Sequence, residues 1–378
     1  MKKAAFPFCI LASLALVTLT DVSDITLPVA DLTKNSMDVV AADLDKDGDN
    51  DLVIACEFCP NFILINDGTG KFANESTARL PQKRHDSEDI AAEDFDRDGD
   101  IDIVFVSEDD KVHEYYINDG KGYFTDASDR LAWKTTSNAV CAVDIDGDGD
   151  KDIVLGNAGQ DLLLQNDGKG IWKDITATHF PTDDDVTQDV KSFDADKDGD
   201  ADLVFGTEDA GKIYFNDGKG KFTAMASALP DIVTTVETRK VEVEDIDRDG
   251  DADLFFCNVA FQPGRNKQNL LLLNDGKGRF IDGTANHYKG ENDFMSLDAQ
   301  FMDLNGDGWK DLIVSNGFGG RVQYFENKKG AFTELTDTAL PDYKGADVIS
   351  LLNFNGAKQK QFIYLGVFRG PDKLLQVN

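Results

Sequence analysis

The chain has 378 residues, 41% of them hydrophobic and 29% charged, with a formal net charge of -33. That length and apolar share can bury a large core, so the charge does not imply disorder. The carboxylate surplus argues against nucleic acid or an anionic membrane as a partner.

The N-terminus reads Met1-Lys2-Lys3, then an apolar run from Ala4 to about Leu19. A short basic head before such a run is expected to be a secretory signal peptide over residues 1–20, cleaved after Ala15 or after Thr20. The run is short for a membrane span and contains Pro7, so no membrane insertion is expected after cleavage. Cys9 is expected to leave with it. The mature protein is therefore expected to be secreted, periplasmic or at the cell surface, with residues 21–378 forming one domain.

An acidic nonapeptide, Asp-x-Asp-x-Asp-Gly-Asp-x-Asp, recurs from Asp43 onward at a period of about fifty residues, the mark of a repeat architecture. Copies begin at Asp43, Asp94, Asp144, Asp194 and Asp245, with a weaker sixth at Asp303. Each is preceded by an apolar segment and followed by runs such as Leu52-Val53-Ile54 or Ile103-Val104-Phe105. A third run ends in Asn-Asp-Gly-x-Gly, as at Asn66 to Gly70 and Asn166 to Gly170, a strong hairpin signal. An aromatic (Phe72, Phe124, Trp172, Phe222, Phe280 or Phe332) then opens a fourth strand. Four short antiparallel strands per repeat make a propeller blade. A decayed seventh copy is expected to start at Asn353 and to lack its fourth strand. Asp24-Ile25-Thr26-Leu27 resembles Asp174-Ile175-Thr176-Ala177 and is expected to supply it. The predicted fold is an all-β, seven-bladed β-propeller closed by the N-terminal strand, which removes exposed sheet edges.

Carboxylates at alternate positions around a glycine turn form an oxygen-only chelate suited to calcium rather than zinc or copper. The expected ligands are Asp43, Asp45, Asp47, Asp49 and Asp51; Asp94, Asp96, Asp98, Asp100 and Asp102; Asp144, Asp146, Asp148, Asp150 and Asp152; Asp194, Asp196, Asp198, Asp200 and Asp202; and Asp245, Asp247, Asp249, Asp251 and Asp253. The sixth loop offers Asp303, Asn305, Asp307, Trp309 and Asp311. Positions one, three and five supply side chains, position seven a backbone carbonyl, and position nine closes the shell. About six calcium ions are expected. An EF-hand needs an acid at position twelve, where this chain has Ile54, Phe105, Leu155, Phe205, Phe256 and Val314. In the seventh copy Ala357 replaces the position-five acid, with Lys358 and Lys360 nearby, and no metal is expected.

This pattern resembles the FG-GAP/VCBS-type repeats of integrin-α-like propellers, over essentially the whole mature chain. The resemblance implies that each calcium loop joins the first two strands of a blade, opposite the usual ligand face. It also implies a recognition or adhesion role, since some propellers of this class are lectins. The ligand is expected to be a carbohydrate or an extracellular protein, and the alternative is a polysaccharide lyase or hydrolase.

On the opposite face the long segment from Asn258 to Asn269 carries Phe261, Arg265 and Lys267. Loops on a rigid scaffold are where binding usually resides. Phe58, Trp133, Tyr288, Phe318 and Tyr343 are expected on that face, with Trp133 the leading candidate for stacking on a sugar. Asp38, Asp89, Asp189 and Asp298, with Lys191, Lys240, Glu242 and Gln300, are expected to line a solvated central channel. His85, His113, His179 and His287 form no metal-spaced pair and are read as surface residues; no catalytic residue is assigned. Cys56 and Cys59 are expected to form a local disulfide of a secreted protein, and Cys141 and Cys257 to be buried thiols.

Overall fold

The computed structural model describes residues 17–225, 227–341, 343, 346–356 and 360–378. The rest of the expected signal segment, with Cys9 and Ala15, lies outside these, as do Ala357 and Lys358. In the first unit Thr33–Ala42 pairs with Asp51–Cys59, then Phe62–Asn66, then Phe72–Asn74, all antiparallel. The same order recurs from His85, Ser137, Thr187, Glu237 and Met295. A seventh unit is built from Val348–Asn355, Gln361–Pro371 and Lys373–Val377.

The second strands hold the units together. Leu52, Val53, Ile54 and Ala55 are fully buried, so both faces of that strand are covered. Alternate residues enter different cores: Leu52 and Ile54 pack with Phe354, Phe362 and Tyr364 of unit seven, while Val53 and Ala55 pack with Ile103, Phe105 and Tyr116 of unit two. Period-two alternation therefore distributes one apolar run between two neighbouring units. Further cores form in the same way between units three and four and between units four and five.

The fourth strand of unit seven comes from the N-terminus, but from Leu19–Asp21 rather than from the predicted Asp24 to Leu27. Leu19 pairs with Val377 and Asp21 with Leu375. Ser23–Thr26 is a helical turn instead. Its register is set by Asp21, whose carboxylate accepts the Ser23 N–H at 2.9 Å, as Asp174 accepts the Thr176 N–H at 2.9 Å. Ser23 Oγ then accepts the Leu374 N–H, as Thr176 Oγ1 accepts that of Leu163. The correct match is thus Asp21-Val22-Ser23 with Asp174-Ile175-Thr176, three residues earlier than the sequence reading. The seventh loop is also displaced: Asn353, Phe354 and Asn355 lie in a strand and pair with Ile363, Phe362 and Gln361. No nonapeptide loop starts at Asn353.

Candidate functional site

The acidic loops join first and second strands on what we term the lower face. Three carboxylates converge in each of four loops: Asp43, Asp45 and Asp47; Asp94, Asp96 and Asp98; Asp144, Asp146 and Asp152; Asp194, Asp196 and Asp202, with ligand oxygens within 4.8 Å of one another. In the first loop Asp43 also accepts the backbone N–H groups of Asp47 and Gly48 at 3.1 and 3.0 Å. Gly48 is required by its φ of 95°, since a Cβ there would meet nothing within 4 Å. Buried Oδ1 atoms of Asp45, Asp146 and Asp245 have no hydrogen-bond partner. Burial and the adjacent position-five and position-one carboxylates raise the pKa of Asp45, Asp96, Asp196 and Asp247. Crowded, orphaned carboxylate oxygens of this kind fit a hard divalent cation.

Position nine ties each loop to the third strand. Asp51 accepts the Asn66 N–H at 2.8 Å and the Leu44 N–H at 3.2 Å. Asp152, Asp202, Asp253 and Asp311 repeat this double bond. Burial pushes Asp51, Asp102, Asp152 and Asp253 up to about 7, against the pull of those backbone donors.

Two lower-face roles escaped the sequence reading. Position four lies in the left-handed region in every copy, with φ of 61° at Lys46, 60° at Arg97, 64° at Lys197 and 63° at Arg248, and glycine at Gly147 and Gly306. The four cations reach the next loop: Lys46 to Asp100, Arg97 to the Asp148 carbonyl at 2.6 Å, Lys197 to Asp251, and Arg248 over the Trp309 ring at 4.6 Å. The turn asparagine after the third strand also joins units, in units two to six. Asn118, Asn166, Asn216, Asn274 and Asn327 donate to the carbonyls of Leu44, Phe95, Ile145, Ala195 and Ile246 in the preceding loop.

The upper face holds a cavity of about 540 Å³. Its construction rests on one backbone feature. Every first strand shifts register at the same place, between Ser36 and Asp38, Ser87 and Asp89, Ser137 and Ala139, Thr187 and Asp189, Thr238 and Lys240, Ser296 and Asp298, and Val348 and Ser350. The bulged residues are Met37, Glu88, Asn138, Gln188, Arg239, Leu297 and Ile349, and all seven line the cavity. A bulge re-aims a side chain without moving its strand. Here it turns one residue per unit toward a common centre, and no two of the seven are alike.

The wall is asymmetric. Glu57, Glu88 and Glu108 stand on the side of units one and two, whereas Phe261, Phe318 and Phe368 come from units five, six and seven. Phe261 and Phe318 meet edge to face with centroids 5.1 Å apart. Phe318 is 64% exposed. Its φ of 55° is unusual for a bulky residue, and its N–H is held by Asp347 Oδ1 at 2.7 Å. The Arg239 guanidinium lies over Phe261 at 5.0 Å and donates to Gln188. Burial and the carboxylates of Asp86, Glu108 and Glu57 hold Glu88 well above the usual range.

Several predicted upper-face residues do other work. Trp133 lies beside Asp129 and Arg130, away from the cavity, and packs on the core of units two and three. Arg265 is a loop clamp, bonded to the carbonyls of Asp209 and Thr234 and to the Asp209 carboxylate. Lys267 pairs with Asp293 at 3.2 Å. Tyr288 is buried in the core of units five and six, and Tyr343 donates to Asp21 at 2.9 Å.

Of the predicted channel residues, Asp38, Lys191, Lys240, Glu242 and Gln300 are half-buried, and the other three are buried. Asp89, Asp189 and Asp298 are 6%, 1% and 4% exposed. Each accepts a backbone N–H from the next unit, of Val140 at 2.8 Å, Val241 at 2.7 Å and Leu351 at 2.6 Å. Lys240 stands 3.5 Å from Asp89 and 3.6 Å from Asp189. Burial opposes its charge, and Asp89, Asp189, Asp38 and Asp298 more than offset this. His113 is likewise no surface residue: it is 2% exposed, accepts the Ser107 N–H, and burial lowers it to about 4. Cys56 and Cys59 are bridged, and Cys141 and Cys257 are buried free thiols.

Similarity to known proteins agrees with this architecture. No curated protein matches the chain. Solved structures of similar fold include a lectin of Agrocybe aegerita described as recognising non-reducing terminal N-acetylglucosamine (20% identity, 82% of each chain covered, TM-score 0.52). BBS1N in complex with ARL6DN is similar over 95% of each chain at 14% identity, with a TM-score of 0.58. YCF48 bound to D1 peptide is similar over 96% of this chain and 97% of its own, at 10% identity and a TM-score of 0.54. At such identities the likeness is one of fold alone. A family model described as FG-GAP-like repeat matches residues 43–105, 94–155, 144–205, 194–256 and 303–356, most of the chain. The chain belongs to the FG-GAP-like repeat family and folds as a β-propeller.

Proposed function

We propose that this chain is a secreted, calcium-binding recognition module that takes its ligand, with carbohydrate as the leading class, in the upper-face cavity. The observation that carries this reading is the ring of bulge residues. The scaffold repeats, the bulge repeats, and the seven side chains it presents are all different. A purely structural ring has no need of that divergence at one conserved geometry, whereas a site for one asymmetric ligand does. Phe261 and Phe318 offer planar faces beside charged hydrogen-bonding groups, the combination that suits a sugar ring. The lower-face loops then serve as structural calcium sites that staple each hairpin. A disulfide at Cys56 and Cys59 supports an oxidising location. Among the described residues no helix is long and apolar enough to cross a membrane.

A protein ligand is the second reading. It is favoured by the acidic arc of Glu57, Glu88 and Glu108 on the cavity wall, and similar folds bind ARL6DN and D1 peptide. The test is a glycan and polysaccharide panel read for binding and for turnover, with calcium present. Saturable binding, weakened at least tenfold by Phe318→Ala and unchanged by Trp133→Ala, is expected. Product release would instead make the chain an enzyme, and silence on the whole panel would reject the carbohydrate reading in favour of a protein ligand.

A further inference from the structure

One acidic cluster lies outside the repeat loops. Asp86, Glu88 and Glu108 of unit two each bring a carboxylate oxygen within 4.8 Å of the other two. No metal loop contributes to it. Glu88 is the bulge residue of its strand, and Glu108 follows the second strand, which ends at Ser107. Both line the upper-face cavity. Bulge and strand end thus bring together carboxylates twenty residues apart in sequence.

A second observation points into the cluster. Asp86 is 2% exposed, and its Oδ2 accepts the Asp109 N–H at 2.8 Å. Its Oδ1 is buried with no hydrogen-bond partner. Leaving a buried carboxylate oxygen unpaired beside two further carboxylates is costly unless a cation sits among them. The chain does not place one of its own there: among the described residues no Lys, Arg or His forms an ion pair with Asp86, Glu88 or Glu108. Arg239, whose charge reaches Glu88 and Glu108, forms no ion pair with either and is engaged with Gln188 and the Phe261 ring.

We propose that Asp86, Glu88 and Glu108 form a divalent cation site, selective for calcium, on the wall of the upper-face cavity and separate from the repeat loops. Calcium bonds oxygen at about 2.3–2.6 Å, so one ion spans oxygens up to about 5 Å apart. The all-oxygen donor set disfavours zinc and copper. Three protein carboxylates leave coordination positions open, and two of these residues face the cavity, so the ion stands where a ligand hydroxyl or carboxylate can complete its shell. Only that last consequence rests on the recognition reading; the ion itself does not.

The experiment uses the full mature chain and its Glu88→Gln/Glu108→Gln variant, which leaves Asp86 and its backbone bond intact. Bound calcium is counted after equilibrium dialysis, and crystals soaked in terbium are measured for anomalous scattering. The expected result is an anomalous peak bonded by Asp86, Glu88 and Glu108, with the variant binding one ion fewer per chain and melting as the parent does in chelator. Peaks confined to the repeat loops, with equal counts in both proteins, would overturn the proposal and leave the loop sites standing. A peak at Glu88 with none in the loops would support it while rejecting the loops as metal sites. No ion anywhere rejects both.

Discussion

Asn216→Ala isolates the bond that joins one unit to the next. Asn216 is buried, 7% exposed, and its side chain makes four hydrogen bonds. Its Nδ2 donates to Ile145 O of the preceding unit at 2.8 Å and to Ala201 O of its own at 3.1 Å. Its Oδ1 accepts the N–H groups of Gly218 and Gly220, both at 3.2 Å. Alanine removes all four. Among the described residues no other donor reaches Ile145 O, and Gly220 is buried, so two groups are left buried and unpaired. At about 1–3 kcal/mol for each stranded group, the loss is roughly 2–6 kcal/mol. The chain contains its own control. Asn66 makes the same turn bonds, to Gly68 and Gly70, and the same bond within its unit, to Asn50 O. Among the described residues it makes none to a preceding unit. Asn66→Ala should therefore cost less than Asn216→Ala by about 1–3 kcal/mol, the share of the inter-unit carbonyl. Asn216→Asp keeps the acceptor of the turn but sets a carboxylate against two carbonyls, and should cost at least as much as alanine. Urea unfolding at fixed calcium, with midpoint and slope both fitted, measures all three. Equal losses at Asn66 and Asn216 would refute the inter-unit staple.

Three further outcomes follow from the same geometry. Chelation should lower the melting temperature, because each loop site filled at a hundred times its Kd contributes about 2.7 kcal/mol. Calcium should restore it better than equal magnesium, which demands a stricter octahedron, and a melt indifferent to both would remove calcium from the reading. Lys240→Met should cost about 3–5 kcal/mol by leaving Asp89 and Asp189 buried without their cation. Adding Asp89→Asn should recover part of that loss, and additive losses in the double variant would show that the pair is not coupled. His113, at about 4 in the fold against 6.5 unfolded, binds its proton later in the native state. Stability should fall as pH drops from 6.5 to 4, by at most about 3 kcal/mol, and His113→Gln should flatten that slope. Parallel pH profiles of parent and variant at constant calcium would contradict the assignment.

Much of the fold was legible because the repeat is written in residue types with one physical meaning each. Alternating Asp around Gly48, the Asn-Asp-Gly turn and the apolar runs each force a local structure, and six copies in register exclude coincidence. The errors came where one motif has two near copies, or where a polar residue serves a partner far away in sequence. Asp24-Ile25-Thr26 and Asp21-Val22-Ser23 both resemble Asp174-Ile175-Thr176. The pairing of Asp21 with Leu375 and the bond from Leu374 to Ser23 Oγ, across 351 residues, separate them. Asp89 and Asp189 alternate with apolar residues exactly as solvated wall residues would. That each binds a backbone N–H of the next unit is a fact of ring packing, absent from any local pattern. The bulge had a signal that went unread. Ser36, Ser87, Ser137, Thr187, Thr238 and Ser296 stand seven residues before each acidic loop, and all are buried. A recurrent small hydroxyl followed by one freely varying residue is the trace of a bulge.

The same contrast separates scaffold from site. Wherever two units must fit together, the sequence repeats: position-two apolar residues, position-nine aspartates, turn asparagines and position-four cations all recur because the interface they serve recurs. Departures from the repeat are costly to that fit, so they persist only where something other than packing acts on them. Most surface departures here resolve into local contacts, as Trp133, Arg265 and Lys267 do. The bulge residues differ in kind: the backbone holds their geometry constant while their chemistry runs from Met37 and Leu297 to Glu88 and Arg239. Repeated units that present seven different side chains to one cavity turn repetition into an asymmetric surface. On the proposed reading of the cavity as the binding site, exchanging two bulge residues should change what is bound while leaving the propeller intact.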